Sequence, residues 1–269
     1  MGEGKVQEQI IKGASAPCFN VHKATKGEIM RINVHAGHNP DGKKACGAIG
    51  FIRESTEARK VKDSVISQLR QLGHEVYDCT CEAGTSQSNV LTRIVSACNA
   101  HSVDLDVSIH FNAGAGDSSG NGRTTGTEVL VYDTAGQAGQ AAGRVCACIS
   151  SLGFRNRGVK VNRNLYVLRK TKAPAMLIEC CFVDDRDDVQ LYDVHKMAEA
   201  IVFGITGQRV QAAEDLADQE AVAPGAETAV GNKKELYRVQ VGAYSAKSNA
   251  DQMQAKLKAV GFDAIITKA

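Results

Sequence analysis

The chain has no Trp, and aromatic residues make up only 5 % of its 269 positions. That poverty argues against a β-sandwich core and against a base-stacking surface. It also lacks an excess of charge: 32 Lys and Arg stand against 30 Asp and Glu, a net +2, far from the basic balance of nucleic-acid proteins. No run of 18 apolar residues exists, so no membrane helix is expected. The first 29 residues hold no apolar stretch of 7–15 residues behind a basic start, so no secretory signal is read there, and they are expected to form a poorly ordered leader. What the chain does have is 43 % hydrophobic residues, enough for a substantial core. Its nine Cys are odd in number and lack the spacing of a zinc ribbon, and they read as small buried thiols of a chain made in a reducing compartment.

Between residues 31 and 206, short apolar runs alternate with amphipathic helical patterns. Strands are expected at 32–35, 75–77, 104–110, 127–132, 165–168 and 175–179, and helices at 55–72, 88–101, 137–152 and 187–205. The alternation predicts an α/β fold: a twisted, mostly parallel sheet of about six strands with helices on both faces, and functional groups at the carboxyl ends of the strands. Residues 208–234 are rich in Ala, Glu, Asp and Gln and read as a linker. Residues 235–269 carry the pattern of one small β-α-β unit, too small to be stable unaided.

Three strand ends offer groups able to bind a metal. The first runs into His35-Ala-Gly-His38, the third ends Ser108-Ile-His110-Phe-Asn112, and the last reaches Glu179 through the apolar run Ala175-Met-Leu-Ile178. Glu54 and Glu57 open the first helix. Turn, core or helix-dipole roles account for His35, His38, His110 and Glu54 equally well. Glu179 resists that reading, because a carboxylate in a buried apolar run is costly unless it is paired or metal-bound. A hydrolytic zinc site needs three protein ligands and an open position, with a further carboxylate to move protons.

In order and wording these motifs resemble the zinc-dependent N-acetylmuramoyl-L-alanine amidases, the Amidase_3 family of autolysins and phage endolysins. The matching blocks are Val34-His-Ala-Gly-His38, Gly47-Ala-Ile-Gly50 before Glu54, Ser108-Ile-His110-Phe-Asn112-Ala113, Gly126-Thr-Glu-Val-Leu, Leu165-Tyr-Val-Leu-Arg169 and Pro174-Ala-Met-Leu-Ile-Glu179. The resemblance covers residues 30–207 and implies a peptidoglycan substrate, Zn2+ ligated by His38, Glu54 and His110, and Glu179 as the general acid/base acting on a zinc-activated water. It further implies Asn112 and Arg169 as substrate contacts. Glu54 is preferred to Glu57 because Val61 and Val65 then fall on the core face of the helix. His35 stands where the family commonly has Asp and is taken as structural support. The segment 235–269 is similar to one half of a SPOR wall-binding module, a half that self-association would complete. Neither nucleic acid nor membrane is expected as a partner, and the enzyme is expected to be made in the cytoplasm and to reach the cell wall after release by a holin or by lysis.

Overall fold

The computed structural model describes residues 28–210 and, beyond them, Asp251 and Gln254. The chain separates into two units, Met1–Asp215 and Leu216–Ala269, and every element named here lies in the first. The β-α-β unit expected over 235–269, most of the 208–234 linker and nearly all of the 1–29 leader lie outside the described residues.

The elements run β1 (Arg31–Ala36), α1 (Glu54–Gln71), β2 (Glu75–Asp78), α2 (Gln87–Asn99), β3 (Leu105–Asn112), β4 (Thr127–Val131), α3 (Gln137–Ser150), β5 (Asn156–Val161), α4 (Tyr166–Lys170), β6 (Ala175–Phe182), α5 (Arg186–Leu191) and α6 (Val194–Thr206). The strands form one sheet in the order β2-β1-β3-β6-β4-β5. All pairings are parallel except β4 against β6.

Alternation along each strand sorts residues between two layers. Ile32, Val34 and Ala36 of β1, Val107 and Ile109 of β3, and Met176 and Ile178 of β6 face one way. They pack with the apolar stripes of α1 (Ala58, Val61, Val65, Leu69), α3 (Ala142, Val145, Ile149) and α6 (Met197, Ile201, Ile205). The opposite face is covered over part of its length by α2 and α4, through Val90, Ile94 and Cys98 against Val167, Leu168, Ala175 and Leu177. Beyond that cover, at the carboxyl ends of β3 and β6, the same face turns polar.

Three expectations need correction. The run 165–168 is not a strand: Val167 and Leu168 belong to the single helical turn α4, packed in the α2 layer. Short apolar runs do not distinguish strand from helix by periodicity. The edge strand β5 has no counterpart among the sequence expectations. The helix expected at 187–205 is two helices, each started by an Asp: the Asp185 carboxylate accepts from the Asp188 amide and the Asp193 carboxylate from the Lys196 amide. The helix α6 ends at Thr206, with Gly207 in the left-handed conformation.

Candidate active site

The sheet register builds the site as a row across adjacent strands. On β3 and β6, His110 stands directly opposite Glu179, and on β6 and β4, Glu179 stands directly opposite Glu128. Directly opposed residues share a face, so these three side chains stand side by side on the incompletely covered side. On the β1 side the next position is Gly37, whose amide donates to the Ile109 carbonyl at 3.0 Å. A Cβ at Gly37 would lie 1.9 Å from Cε1 of His110, so the missing side chain is what gives the imidazole its place.

His38 follows, with φ of +64°, an uncommon conformation for a residue with a side chain. It brings the ring back over the row. Nε2 of His38 is 3.3 Å and Nδ1 of His110 is 3.0 Å from the same oxygen, Oε1 of Glu54. The two rings meet edge to face with centroids 5.0 Å apart. Glu54 is the first residue of α1 and is buried. Its Oε2 accepts from the Ala48 amide at 2.7 Å, which fixes the carboxylate so that Oε1 faces the imidazoles. Burial works against its charge, yet hydrogen bonds from His110 and His38 hold its pKa well below the usual carboxylate range.

Two His and one Glu offer three ligand atoms, all within 4.8 Å of one another, and catalytic zinc sites use three protein ligands of these types. The chemistry of the residues therefore fits zinc. Glu57, the other acid of that turn, is engaged elsewhere, with Lys60 at 2.9 Å and the Tyr192 hydroxyl at 3.2 Å. Cys180 and Cys181 are wholly buried in the apolar layer, and burial pushes both thiols well above their ordinary pKa, so neither competes as a thiolate ligand.

Glu179 is the outlier of the row. Its Oε2 is out of solvent and has no hydrogen-bond partner among the described residues. Burial first, then the charges of Glu54 and Glu128, push its pKa up to about 8. A carboxyl poised near neutrality beside a metal-competent cluster suits proton transfer. Glu128 is the reverse case. Burial opposes its charge, but Arg157 (Nε to Oε2, 2.6 Å) and Lys160 (Nζ to Oε2, 2.5 Å) hold its pKa below the ordinary value.

Asn112 does not hold His110. Its amide nitrogen donates to Oε1 of Glu128 at 3.3 Å, and its oxygen accepts from the Ala113 amide. Arg169 lies exposed on α4, the element packed on α2 and β6, and makes no side-chain hydrogen bond to the row among the described residues. His35 is fully buried below the site, 3.4 Å from the Ser108 hydroxyl, and burial followed by the neighbouring His110 pushes its pKa down to about 3. It is a neutral support. The sequence reading missed Glu128, Arg157 and Lys160. The signal for Glu128 was present, since it is an acid inside the apolar run 127–131.

The Gly-rich stretch 113–126 between β3 and β4 reads from sequence as a flexible loop near the cleft, and the structure shows it stapled. Asp184 accepts from the amides of Gly114, Ala115 and Gly116, and Asp187 from those of Asn121, Gly122 and Arg123. Asp185 and Asp188 accept from Thr125 and Gly126. Asp117, Asp185 and Asp187 also approach one another, but their oxygens are occupied by these amides and hydroxyls.

Comparison with known proteins gives the same outline. The family model for N-acetylmuramoyl-L-alanine amidases (Amidase_3) matches residues 32–207, and the model for the SPOR domain matches residues 209–268. The second match takes in nearly all of the stretch read as linker as well as the small C-terminal unit. The N-acetylmuramoyl-L-alanine amidase CwlM of Bacillus licheniformis is 30 % identical over 184 residues, 68 % of this chain and 64 % of that protein. An uncharacterized protein of Clostridium perfringens is 38 % identical over 167 residues, 61 % of this chain and 47 % of its own length. The chain thus spans about half the length of the first curated relatives it matches. Among solved structures, the catalytic domain of the CD27L endolysin targeting Clostridia difficile superposes with a TM-score of 0.58 at 27 % identity, covering 65 % of this chain and 96 % of that one. The amidase AmiC2 of Nostoc punctiforme gives 0.54 at 27 %, covering 68 % and 96 %.

Proposed function

The chain belongs to the N-acetylmuramoyl-L-alanine amidase family, and on that premise we propose that it hydrolyses the amide between muramic acid and L-alanine in peptidoglycan, with zinc held by His38, Glu54 and His110 and with Glu179 as general acid/base. The observation that carries this reading is the unpartnered, buried oxygen of Glu179 one strand away from a cluster of two His and one Glu. Zinc bound by that donor set supplies Lewis acidity, polarising a carbonyl and acidifying water. Everything else falls to the chain. Glu54, fixed by the Ala48 amide, keeps the two imidazoles in register. Glu179 takes a proton from the attacking water and returns it to the amine of L-alanine as that group departs, a shuttle for which its buried, unpartnered oxygen leaves a free proton-accepting site. The SPOR match over 209–268 supports a second role, attachment to the wall, for the C-terminal part. The enzyme then acts on the wall after its release from the cytoplasm, as an endolysin or an autolysin.

The test is metal content with product analysis. Purified protein is expected to hold about one zinc per chain, and to clear a suspension of Gram-positive walls. A chelator is expected to stop clearing and added zinc to restore it. The new end group is expected to be the amino terminus of L-alanine. A new sugar amine would mean a deacetylase, and clearing by zinc-free protein would remove the metal from the reaction.

Gly37 offers a sharper check on the same centre. In Gly37→Ala the His110 ring must leave its position, and displaced ligand support typically weakens a metal by roughly 10–100-fold. Competition with a chelating dye measures this. Wild-type affinity in the variant would show that the ring has another place to go.

A further inference from the structure

The row that begins at Gly37 and passes through His110, Glu179 and Glu128 does not end there. Beyond β4 lies β5, and its pairing is irregular at one point. Thr127 pairs with Asn156 and Val129 with Val159, so two residues, Arg157 and Gly158, stand opposite the single Glu128. Gly158 has φ of +81°, a conformation open to glycine at no cost, and the bulge re-aims Arg157 toward the site face, where its Nε meets Glu128. Lys160 pairs with Leu130, two residues beyond Glu128 on the same face, and its Nζ reaches the same oxygen. Two cations thus meet one carboxylate, leaving one positive charge. Both keep donors to spare. Arg157 uses only Nε in a hydrogen bond among the described residues, and its guanidinium carbon lies 5.0 Å from the ring centroid of Phe182. The side chains remain 28 % and 44 % accessible, so a ligand can reach them.

We propose that Arg157 and Lys160 form a subsite for a carboxylate of the departing peptide, so that the stem peptide runs from Glu179 across β4 toward β5 while the glycan lies on the His38 side. This rests on the amidase reading of the same site. The direction follows from proton transfer. The leaving amine must meet Glu179, and the peptide attached to it continues away from the metal cluster, along the row. Adjacent strands are about 4.8 Å apart, so β5 lies roughly 10 Å beyond β6. An L-alanine joined to a second residue sets the α-carboxylate of that residue about 7 Å from the alanine amine, and long Arg and Lys side chains close the difference. The chemical class is a second stem residue whose α-carboxylate is free because the chain continues through its side-chain carboxyl, as in a γ-linked D-glutamate. Its amidated form offers no charge to these cations. Arg is suited to a carboxylate by its fork of donors, and Lys by its point charge.

The experiment uses the full chain with two synthetic muramyl peptides, one with γ-linked D-glutamate at the second position and one with D-isoglutamine. The wild type is expected to favour the carboxylate by roughly tenfold in kcat/KM, the weight of one charge-assisted hydrogen bond. Arg157→Gln and Lys160→Gln are each expected to erase most of that preference, through KM. The released peptide, extended through the γ-carboxyl in both cases, is expected to bind the wild type more tightly by calorimetry when its α-carboxylate is free than when it is amidated, and the variants are expected to bind both alike. Removing Arg157 leaves Glu128 with one cation and risks the fold, so Arg157→Lys, which keeps the charge, is expected to retain part of the preference. Equal turnover of both substrates by the wild type, or variants that slow both equally, would overturn the subsite while leaving the amidase reading standing. Release of no L-alanine amino terminus from either substrate would overturn both.

Discussion

Glu179→Gln is expected to lower kcat by roughly 10²–10⁴-fold, the usual worth of a positioned acid/base, while the zinc content stays at the wild-type level. The two effects separate because Glu179 stands beside the His38, Glu54 and His110 cluster and is not part of it. Glutamine keeps the shape and removes the proton shuttle. A second readout follows from the titration of this carboxyl. Its pKa is raised to about 8 by burial and by Glu54 and Glu128, against about 4.5 in the unfolded chain. A raised folded-state pKa means that the native state binds the proton more tightly. The resulting stability is full below about pH 4.5 and is lost as the pH rises through 8. In metal-free wild-type protein, unfolding stability is expected to fall by up to a few kcal/mol across that window. Glu179→Gln is expected to lack this slope and to be the more stable of the two at pH 9. Urea titrations of chelated protein at pH 5, 7 and 9 measure it. An active variant would remove Glu179 from the mechanism, and an unchanged slope would mean that another group titrates. A divalent cation beside the carboxyl favours its charged form, so zinc is expected to flatten the slope in the wild type as well.

How much of this was legible in the sequence depended on what each residue faces. The strands of the sheet interior carry apolar side chains toward a helix layer, and their periodicity shows. β5 sits at the edge, and none of Asn156-Arg-Gly-Val-Lys-Val161 is fully buried, so no alternation of apolar and polar residues marked it. That edge carries Arg157 and Lys160, which is why both escaped notice. The α4 turn looked like a strand because Val167 and Leu168 are apolar for a tertiary reason, their contact with α2 and β6. The antiparallel insertion of β4 beside β6 leaves no trace in local pattern, and yet it is what sets Glu128 against Glu179. The acids and imidazoles of the centre were legible as types at strand ends. Glu179 stood out because charge in an apolar run demands a reason, and the same reasoning applies to Glu128. Asn112 was legible only through the resemblance, as a substrate contact. The β3–β6 pairing shifts register between His110 and Asn112, and the Asn112 amide donates to Glu128.

Asp188→Ala is expected to destabilise the fold by about 2–5 kcal/mol, more than any surface substitution. Asp188 is completely buried, and burial pushes its pKa up to about 6 even though backbone amides oppose the shift. Its oxygens accept from the Phe182 amide at 2.8 Å and from the Gly126 amide at 3.0 and 3.1 Å. Alanine would leave both N–H groups buried without an acceptor, and each such loss is worth about 1–3 kcal/mol. Asparagine retains one oxygen but turns an amide donor toward the other N–H, so Asp188→Asn is expected to fall between wild type and alanine. The position of these amides gives the change a reach beyond stability. Gly126 lies two residues before Glu128, and Phe182 three after Glu179, so one carboxylate ties the loop 113–126 to the strand that carries Glu179. In Asp188→Ala that loop is expected to become accessible to protease under native conditions, and kcat is expected to drop steeply on warming, well below the unfolding midpoint. A variant with the wild-type urea midpoint and an uncut loop would show that water replaces the carboxylate at both amides. The physical contrast with Glu179 lies in the partners: both are buried acids with raised pKa values, but the oxygens of Asp188 are committed to backbone amides and hold structure, while Oε2 of Glu179 has no hydrogen-bond partner among the described residues, as the proposed proton transfer requires.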